Sequence, residues 1–342
     1  MRPIVVVDFF SGCGGTSLGL RSSGMQILAG VDNDPNAARS FRENFPEAVF
    51  IERDIREVSE DEIRQLIPEG RQLLLAGCAP CQPFSKQYLT GGKLRADDRR
   101  RNLLQDFQRF VVALRPDHVL VENVPGLQKV GQDGPFCEFI ETLDRLDYSF
   151  EWDTLSALSF GVPQVRRRLV IVASRQGMVS MPQPSHGLGL LSPSVVRDFM
   201  ADLPPLEAGG KDPHDPDHAA MKLSSLNLMR IAVTPEGGGR TNWPAELILE
   251  CHRDHPGHSD VYGRLAWDKP AAAITTRCLS YSNGRFGHPS EPRAISLREA
   301  ACLQTFPRTF RFSGSLLSKG RQVGNAVPPL MAQAIGSVYA TL

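Results

Sequence analysis

Apolar residues in the first half of the chain occur in short, nearly unbroken runs. Such runs are typical of strands that are buried on both faces of a parallel sheet. The runs predict strands at 4–10, 25–31, 72–76, 118–121 and 169–173. Each run is followed by a turn-forming or polar segment, which is where a strand of this kind ends.

The segments between the predicted strands carry apolar residues every three or four positions, as one face of a helix does. Two such stripes are Leu103, Phe107, Phe110, Val111, Leu114 and Phe136, Phe139, Ile140, Leu143, Leu146. Asp34 and Pro35 predict another helix start, because Asp is a good N-cap and Pro suits the first helical position. A last helix is predicted over 330–338. Strands that alternate with helices predict an α/β fold with a mainly parallel sheet covered on both faces.

The pattern changes from about Gly177 onward. Pro, Gly, Ser and His become frequent and the periodicity weakens, with Pro204-Pro205, Gly209-Gly210 and Gly237-Gly238-Gly239 as the clearest breaks. Apolar stretches at 247–249 and 271–276 still interrupt this region. We therefore expect a second, loop-rich domain rather than a disordered tail.

Composition alone places the chain among ordinary globular proteins. It has 342 residues, of which 41% are hydrophobic and 22% charged, and its net charge is zero. The charge is unevenly spread: residues 1–75 hold 8 Lys and Arg against 12 Asp and Glu, whereas residues 261–342 hold 10 against 3 and residues 86–101 hold 6 against 2. Two basic regions on a neutral protein favour a polyanion-binding face, although an arginine-rich solvated surface would look the same.

No apolar run approaches the roughly 20 residues that a membrane helix needs. The N-terminus leads directly into a strand and has no cleavage-site pattern, so the expected compartment is the cytosol. The seven cysteines are scattered and odd in number, which argues against a disulfide framework.

A glycine-rich segment, Phe10-Ser11-Gly12-Cys13-Gly14-Gly15, follows the first predicted strand. Glycines let the backbone approach a ligand closely, and the helix start beyond them supplies free N–H groups. The segment lacks the G-x-G-x-x-G spacing of nicotinamide-dependent enzymes. Asp32 ends the second predicted strand, where an acid commonly binds ribose hydroxyls, although it could equally be a turn residue or a cap.

The most informative stretch runs from Ala76 to Ser85, because it places a thiol in a Pro-rich loop at the end of a buried strand. Open α/β sheets usually carry their chemistry at that edge. Cys78 and Cys81 also form a C-x-x-C, which could be a redox pair or half of a zinc site. No second C-x-x-C occurs in the sequence, and we expect no metal. A nucleophilic cysteine is the favoured interpretation.

Two further groups point to the same edge of the sheet. Glu122, in Glu122-Asn123-Val124, ends another predicted strand and could meet the thiol across a crevice, or could merely cap a helix. Gln164, Arg166 and Arg168 alternate along an extended segment, which predicts that all three side chains lie on one face. That face is too polar for a core and favours an anion or substrate site, with an exposed edge strand as the alternative.

Together these segments resemble the ordered motifs of bacterial cytosine-C5 DNA methyltransferases of the restriction–modification type. The motifs are Phe10-Ser11-Gly12-Cys13-Gly14-Gly15, Pro80-Cys81-Gln82, Glu122-Asn123-Val124, Gln164-x-Arg166-x-Arg168 and Gly324-Asn325-Ala326-Val327-Pro328-Pro329. The segment Arg293 to Ala301 resembles the family motif that precedes the last one. Five or more motifs in the right order are highly specific, and the resemblance covers nearly the whole chain.

The resemblance implies a Rossmann-like, S-adenosylmethionine-dependent methyltransferase sheet with a smaller, loop-rich target-recognition domain. The catalytic and cofactor-binding domain would comprise residues 1–178 and 318–342, with its C-terminal helix packed beside its first, and the target-recognition domain residues 179–317. The residues implied at the cofactor are Phe10, Ser11, Gly12, Gly14, Gly15, Asp32, Asn33, Asp54, Ile55, Pro80, Asn325 and Val327. The glycine loop would hold the methionine end, Asp32 the ribose, and Asn33 and Asp54 the adenine.

The resemblance also implies the chemistry. Cys81 would add to C6 of a cytosine flipped out of duplex DNA, Glu122 would contact N3 and the exocyclic amine, and Arg166 and Arg168 would assist. The 82–101 segment would close over the base, with Gln82 and Ser85 on DNA and its lysines and arginines on phosphates. Sequence recognition would fall to the second domain, where Arg240, Arg277 and Arg285 are the predicted groove contacts.

Further expectations are a monomer and a cognate restriction endonuclease that acts on the same site without a stable complex. Three alternatives remain open at this point. One is methylation of tRNA cytosine by the same chemistry, the second is a non-catalytic DNA-binding module, and the third is a nicotinamide-dependent dehydrogenase.

Overall fold

The computed structural model describes residues 3–79, 103–129, 134–253 and 260–342. They belong to two compact units, each assembled from segments distant in sequence. The first unit contains Met1–Ser156, Arg167–Pro184 and Val327–Leu342, and the second contains Ala157–Arg166 and Ser185–Ala326. These bounds differ from the predicted domain limits, since residues 157–166 and 318–326 fall in the second unit.

The described strands are β1 (Ile4–Phe9), β2 (Gln26–Asp32), β3 (Val49–Glu52), β4 (Gln72–Gly77), β5 (His118–Asn123), β6 (Ser149–Ser156), β7 (Gln164–Val165), β8 (Arg167–Ser174) and β9 (Ala271–Ala272). The described helices are α1 (Gly15–Ser22), α2 (Pro35–Asn44), α3 (Glu60–Leu66), α4 (Leu103–Leu114), α5 (Pro135–Arg145), α6 (Arg197–Met200), α7 (Ser225–Val233), α8 (Leu297–Leu303), α9 (Leu316–Asn325) and α10 (Pro329–Ser337).

The first unit is built on a seven-stranded sheet in the order β3-β2-β1-β4-β5-β8-β6. Strands β1 to β5 pair in parallel. Strand β8 runs antiparallel to both of its neighbours, β5 and β6. The predicted α/β fold with a mainly parallel sheet is therefore confirmed, with one reversed strand that periodicity did not reveal.

The core of this unit explains why the apolar runs predicted the strands well. All six residues of β1 are buried, and the ring of Phe9 packs against those of Phe107 and Phe110, with centroids 5.5 and 4.5 Å away. A Cβ at Gly77 would lie 2.9 Å from the ring of Phe107. Glycine there lets α4 pack closely against β4, since a larger residue would push the two apart.

Helices at the two ends of the chain pack against each other in the first unit. Gly19 on α1 approaches α10 so closely that a Cβ there would overlap Ala332 and the Pro329 carbonyl. Beyond α10, the hydroxyl of Tyr339 donates to the backbone carbonyl of Val119 on β5, at 2.7 Å. The predicted packing of the C-terminal helix beside the first helix is thus confirmed.

The second unit has little regular structure. It contains the two-stranded pair β7–β9, short helices and several single 3₁₀ turns. Its small apolar cluster contains Ile231, Trp243, Tyr281 and Ala294. The prediction of a loop-rich second region is consistent with this part of the structure, although the bounds differ.

Periodicity found most elements of the first unit but missed three. β3 has only four residues and α3 only seven, so neither shows a repeating pattern. β6 lies at the sheet edge with Trp152 exposed, and it lacks a continuous apolar run for that reason. The helix predicted to start at Asp34 and Pro35 is confirmed, because the Asp34 carboxylate accepts hydrogen bonds from the N–H groups of Asn36 and Ala37.

Candidate active site at the carboxyl edge of the sheet

The centre of the sheet has the topology at which open α/β sheets bind ligands. Strands β1 and β4 are neighbours, and the chain continues from them toward opposite edges of the sheet. Phe9, the last residue of β1, lies opposite Gly77, the last residue of β4. The segments that follow both strands therefore flank one crevice at the carboxyl edge.

The loop after β1 adopts an unusual backbone conformation. Phe10, Gly12 and Gly14 all have positive φ angles, of 56°, 53° and 97°. The loop is held by hydrogen bonds from the Ser11 N–H to the Val31 carbonyl and from the Gly14 N–H to the Ser11 carbonyl. Phe10 is a non-glycine residue in the left-handed region, which is costly and is typical of a functional turn.

Gly14 is the N-cap of α1 and must be a glycine on steric grounds as well. A Cβ on this residue would overlap the ring of Phe45 and would lie 3.1 Å from the Cδ2 atom of Phe41. The first N–H groups of α1 have no partners within the helix, and the helix dipole makes this end positive. The loop can therefore accept a carboxylate or another anion.

Asp32 ends β2 and braces the same loop. Its Oδ2 accepts a hydrogen bond from the Gly12 N–H and its Oδ1 one from the Asp34 N–H, both at 2.9 Å. Burial raises the pKa of Asp32, while these N–H groups oppose the shift. Each carboxylate oxygen can accept more than one hydrogen bond, so Asp32 can also bind hydroxyl groups of a ligand. The next residue, Asn33, is exposed.

Ser11 gives a direct indication that this loop binds a ligand. The residue is buried, and its hydroxyl has no hydrogen-bond partner within the described part of the protein. Buried hydroxyls are normally satisfied, so such a group calls for an explanation. The positive-φ loop, the helix N-terminus, Asp32 and this hydroxyl fit a ligand with a charged amino-acid end and ribose hydroxyls.

Asp54 and Ile55 follow β3. The Asp54 carboxylate caps a 3₁₀ turn over Ile55–Glu57, and its hydrogen bond and ion pair with Arg56 lower its pKa. Ile55 is buried. In the described conformation the Asp54 carboxylate is bound to Arg56. For the predicted contact with adenine, the carboxylate would have to leave Arg56 or bind Arg56 and adenine together.

Glu122 and Arg168 form an ion pair at the carboxyl edge, with the guanidinium Nε 2.7 Å from the Glu122 Oε1. Glu122 comes near the end of β5, and Arg168 near the start of β8, which pairs with β5 in the reverse direction. The reversal of β8 brings these two side chains to the same edge. Both are largely buried, so the pair fixes the carboxylate in position.

Asn123 links this pair to the end of β4. Its side-chain amide donates to the carbonyl of Ala79 at 3.2 Å, and its side-chain oxygen accepts from the Val124 N–H. Ala79 is the last described residue before the segment 80–102. The predicted site residues Pro80, Cys81, Gln82 and Ser85 lie outside the described residues, as do the basic residues of 86–101.

Cys78, the other cysteine of the C-x-x-C, is a poor nucleophile. Burial raises the pKa of its thiol well above the usual range, and the carboxyl groups of Glu122 and Asp8 raise it further. Its sulfur lies 3.3 Å from the hydroxyl of Thr16. Because the thiolate is the reactive form, this environment argues against Cys78 as the reacting cysteine.

Sequence reasoning missed Asp8, a fully buried acid on β1. Its Oδ2 accepts a hydrogen bond from the Ser17 hydroxyl at 2.6 Å, and burial raises its pKa to about 7. The signal was available, since Asp8 is the polar residue that interrupts an otherwise apolar strand.

Gln164 and Arg166 have structural contacts inside the second unit. The Gln164 amide donates to the Leu303 carbonyl and to Gln304 Oε1, both at 2.8 Å. The Arg166 guanidinium donates to the carbonyls of Ile274 and Ala326, at 2.9 and 3.0 Å. The prediction of one common face is therefore only partly right. Gln164 and Arg166 are buried among backbone carbonyls of the second unit, whereas Arg168 belongs to the first.

The other motif residues are also divided between the units. Asn325 is exposed at the end of α9 in the second unit, and Val327 is buried in the first. Their predicted contact with a cofactor stays a prediction.

The three arginines predicted to contact DNA have different environments. Arg240 is buried, and Arg285 donates to the carbonyls of Gly237 and Gly238 and pairs with Asp260. Arg277 is exposed, and its guanidinium has no hydrogen bond or ion pair with any described residue. The contact of all three arginines with DNA stays a prediction, for which the exposed Arg277 is better placed than the buried Arg240.

Comparison with known families supports the interpretation of these motifs. The model of the C-5 cytosine-specific DNA methylase family matches residues 4–340. The chain belongs to this family. It is a DNA methyltransferase of the cytosine-C5 class, and the family match spans both units.

Similar proteins include the Type II methylase M.HgiDII of Herpetosiphon aurantiacus, which is 42% identical over 96% of this chain and 93% of its own length. The Type II methyltransferase M1.HphI of Haemophilus parahaemolyticus is 33% identical over 97% of this chain and 85% of its own.

Solved structures with a similar fold include a prophage-encoded protein of E. coli described as a DNA modification methyltransferase, with a TM-score of 0.77 and 22% identity. The match covers 99% of both chains. The DNMT2 of Spodoptera frugiperda matches with a TM-score of 0.65 and 17% identity over 98% of this chain and 99% of its own. Among the residues described in this methylase, no helix has the length and apolar character that crossing a membrane would require.

Proposed function

We propose that this C-5 methylase flips a target cytosine out of duplex DNA and methylates C5 through a covalent bond between Cys81 and C6. The observation that carries the proposal is the Glu122–Arg168 ion pair at the carboxyl edge, next to the strand end that leads to Pro80 and Cys81. A carboxylate held in an ion pair beside a strand whose chain continues to a cysteine suits this chemistry.

The cysteine is needed because cytosine C5 is too electron-poor to take a methyl group directly. Addition of the Cys81 thiolate to C6 places an electron pair on C5, which makes C5 a nucleophile. Glu122 would bind N3 and the exocyclic amine and stabilise the adduct as N3 gains a proton. Arg168 would hold the Glu122 carboxylate in place and add positive charge near the thiolate.

S-adenosylmethionine, when bound, would supply an electrophilic methyl group on a positively charged sulfur, and the broken bond between sulfur and methyl would leave a neutral thioether. The residues that would hold it are Ser11, the glycine loop and Asp32, for the reasons of backbone geometry and hydrogen bonding given above. After methyl transfer to C5, a base removes the C5 proton, the C6–S bond breaks, and the Cys81 thiolate is released with 5-methylcytosine.

The wider proposal assigns cofactor binding and catalysis to the first unit and target recognition to the second. It includes a monomeric enzyme in the cytoplasm that protects DNA from a restriction endonuclease cutting the same site. Relatives named as Type II methylases support this assignment.

Transfer of labelled methyl from S-adenosylmethionine tests the proposal, with unmethylated duplex DNA and tRNA as parallel substrates. We expect label in DNA as 5-methylcytosine, abolished by Cys81→Ser and retained by the matched control Cys78→Ser. Label in tRNA alone would show that tRNA, and not DNA, is the substrate. Binding of S-adenosylmethionine without methyl transfer to either nucleic acid would favour a non-catalytic DNA-binding module.

Glu122→Gln tests the role of the carboxylate in the same assay. Because the amide cannot support proton gain at N3 as the carboxylate does, transfer should fall by about 10²–10⁴-fold. Far-UV circular dichroism should be unchanged. Activity within a few-fold of the wild type would remove Glu122 from the mechanism.

A further inference from the structure

A pocket in the second unit is lined by positive charges that no described lining residue neutralises. Its volume is about 680 Å³, and Lys222, Arg277 and Arg321 are among its lining residues. All three are exposed, and none forms a salt bridge with a residue in the described ranges. The residues that line the pocket include no Asp or Glu.

This lack of compensation contrasts with the rest of the second unit. Most of its other arginines are bound to carboxylates or to backbone carbonyls, as in the pairs Arg197–Asp268, Arg298–Asp215 and Arg308–Asp202. Cations that repel one another and have no acidic partner favour an anion brought from outside.

Two helix N-termini line the same pocket and add to its positive potential. Helix α7 contributes its N-cap Ser224 together with Asn227, and helix α9 contributes its N-cap Ser315 together with Ser318. The helices have nine and ten residues, long enough for a dipole to be felt at the first turn.

Ser318 is a second, independent sign of a missing ligand. The residue is 4% exposed, and its hydroxyl has no hydrogen-bond partner among the residues that the structure describes. It therefore has a proton to donate to an incoming acceptor oxygen.

Two glycines bring the backbone segments that carry Arg277 and Arg321 close together. A Cβ at Gly320 would lie 3.0 Å from Leu279, and one at Gly324 would overlap the backbone of Thr275. Since Gly320 and Gly324 lie one turn apart on α9, this helix packs directly on the segment 275–279. Arg321 on the helix and Arg277 on the segment therefore line the same pocket.

We propose that this pocket binds backbone phosphates of duplex DNA. The inference rests on the proposed function and extends it. Of the arginines predicted from the sequence to contact DNA, only Arg277 lines this pocket, whereas Lys222, Arg321 and the two helix ends were not predicted. The volume exceeds that of one phosphate ion and leaves room for sugar and an adjacent phosphate. Because phosphate contacts position a duplex without identifying its sequence, the pocket should set affinity and register rather than target choice.

The test measures duplex binding by fluorescence anisotropy across a range of NaCl concentrations for the wild type and for Arg277→Ala/Arg321→Ala. Each phosphate contact contributes about 0.9 to the slope of log K against log salt. The double variant should therefore bind more weakly to every duplex and lose about 1.8 from the magnitude of that slope. Arg277→Lys/Arg321→Lys keeps both charges and should retain most of it.

The matched control is Lys211→Ala/Lys269→Ala, which removes two exposed second-unit charges outside the pocket and should keep the wild-type slope. If the wild type methylates DNA and the arginine variant matches this control, the pocket proposal alone is wrong. If the wild type neither binds nor methylates duplex DNA, the proposed function fails, and this inference fails with it.

A second experiment distinguishes duplex DNA from a free anion as the ligand of the pocket. Calorimetric titration with inorganic phosphate should show at most weak binding. Tight phosphate binding that is lost in the arginine variant, combined with unchanged duplex affinity, would assign the pocket to a small anion and overturn the proposal.

Discussion

The two units differ in the charged side chains that they bury. The first surrounds its sheet with an apolar core, and its charged site residues stand at one edge of that sheet. The second also buries apolar side chains, such as Phe306 and Phe310, but Arg293 and Arg298 rank among its largest fully buried side chains. In a regular sheet the backbone carbonyls are paired within the sheet, and apolar burial can supply the stability. In an irregular unit many backbone carbonyls lack such partners, and charged side chains can donate hydrogen bonds to them.

The buried charges of the second unit form a charge network that consists of two groups of ion pairs. Arg293 makes two hydrogen bonds of 2.7 Å to the Glu299 carboxylate, which also accepts from the Ser296 N–H at the start of α8. Arg298 binds Asp215 and Asp217. Although burial opposes ionisation, the Arg293 guanidinium keeps the pKa of Glu299 below its usual range.

The largest expected effect comes from breaking this network. Arg293→Met leaves the Glu299 carboxylate buried without its partner, so the free energy of unfolding should fall by about 3–5 kcal/mol. Urea denaturation followed by fluorescence measures the change. Arg197→Met, which removes an exposed ion pair with Asp268, should cost far less. Equal losses for the two variants would show that burial of the network does not matter.

A glycine substitution probes the first unit at the loop that follows β1. Gly14→Ala adds a methyl group against Phe45 at a left-handed backbone position, and we expect a loss of about 1–3 kcal/mol from overpacking alone. Gly24→Ala is the control, because Gly24 has a similar φ of +94° with nothing within 4 Å. The difference between the two in thermal unfolding isolates the steric term. No difference would mean that Phe45 moves aside freely.

The smallest effect, taken per pH unit, concerns Asp8, the buried acid on β1 of the first unit. Burial raises its folded-state pKa from 3.8 to about 7. Between these values the unfolded chain loses the proton while the folded protein keeps it, so stability falls as pH rises and levels off above about pH 7. Relative to Asp8→Asn, the wild type should lose at most about 1.4 kcal/mol per pH unit. A constant difference from pH 4 to 7 would contradict the assigned pKa.

The first unit was largely predictable because its information is local. Apolar runs marked β1, β2, β4, β5 and β8, and turns placed Asp32 and Glu122 at strand ends. Which strand runs backward was not predictable, since direction depends on pairing between distant segments. The Glu122–Arg168 pair follows from that reversal, and so its geometry could be learned only from the structure.

The second unit was poorly predictable because its information is not local. Its pairs join residues far apart in sequence, such as Arg298 with Asp215, and no periodicity reports them. The same limit applied to the arginines predicted to contact DNA. The sequence does not distinguish Arg277, whose guanidinium has no partner among the described residues, from Arg285, whose guanidinium is bound to carbonyls.

The most direct test of the account is a covalent complex with duplex DNA that carries 5-fluorocytosine at the mapped target. Fluorine at C5 leaves no proton to remove after methyl transfer, so the bond between cysteine and C6 cannot break. With S-adenosylmethionine present, the wild type and Cys78→Ser should form a complex that survives denaturing electrophoresis, and Cys81→Ser should form none. A complex that persists in Cys81→Ser, or disappears in Cys78→Ser, would contradict the assignment of Cys81 as the nucleophile.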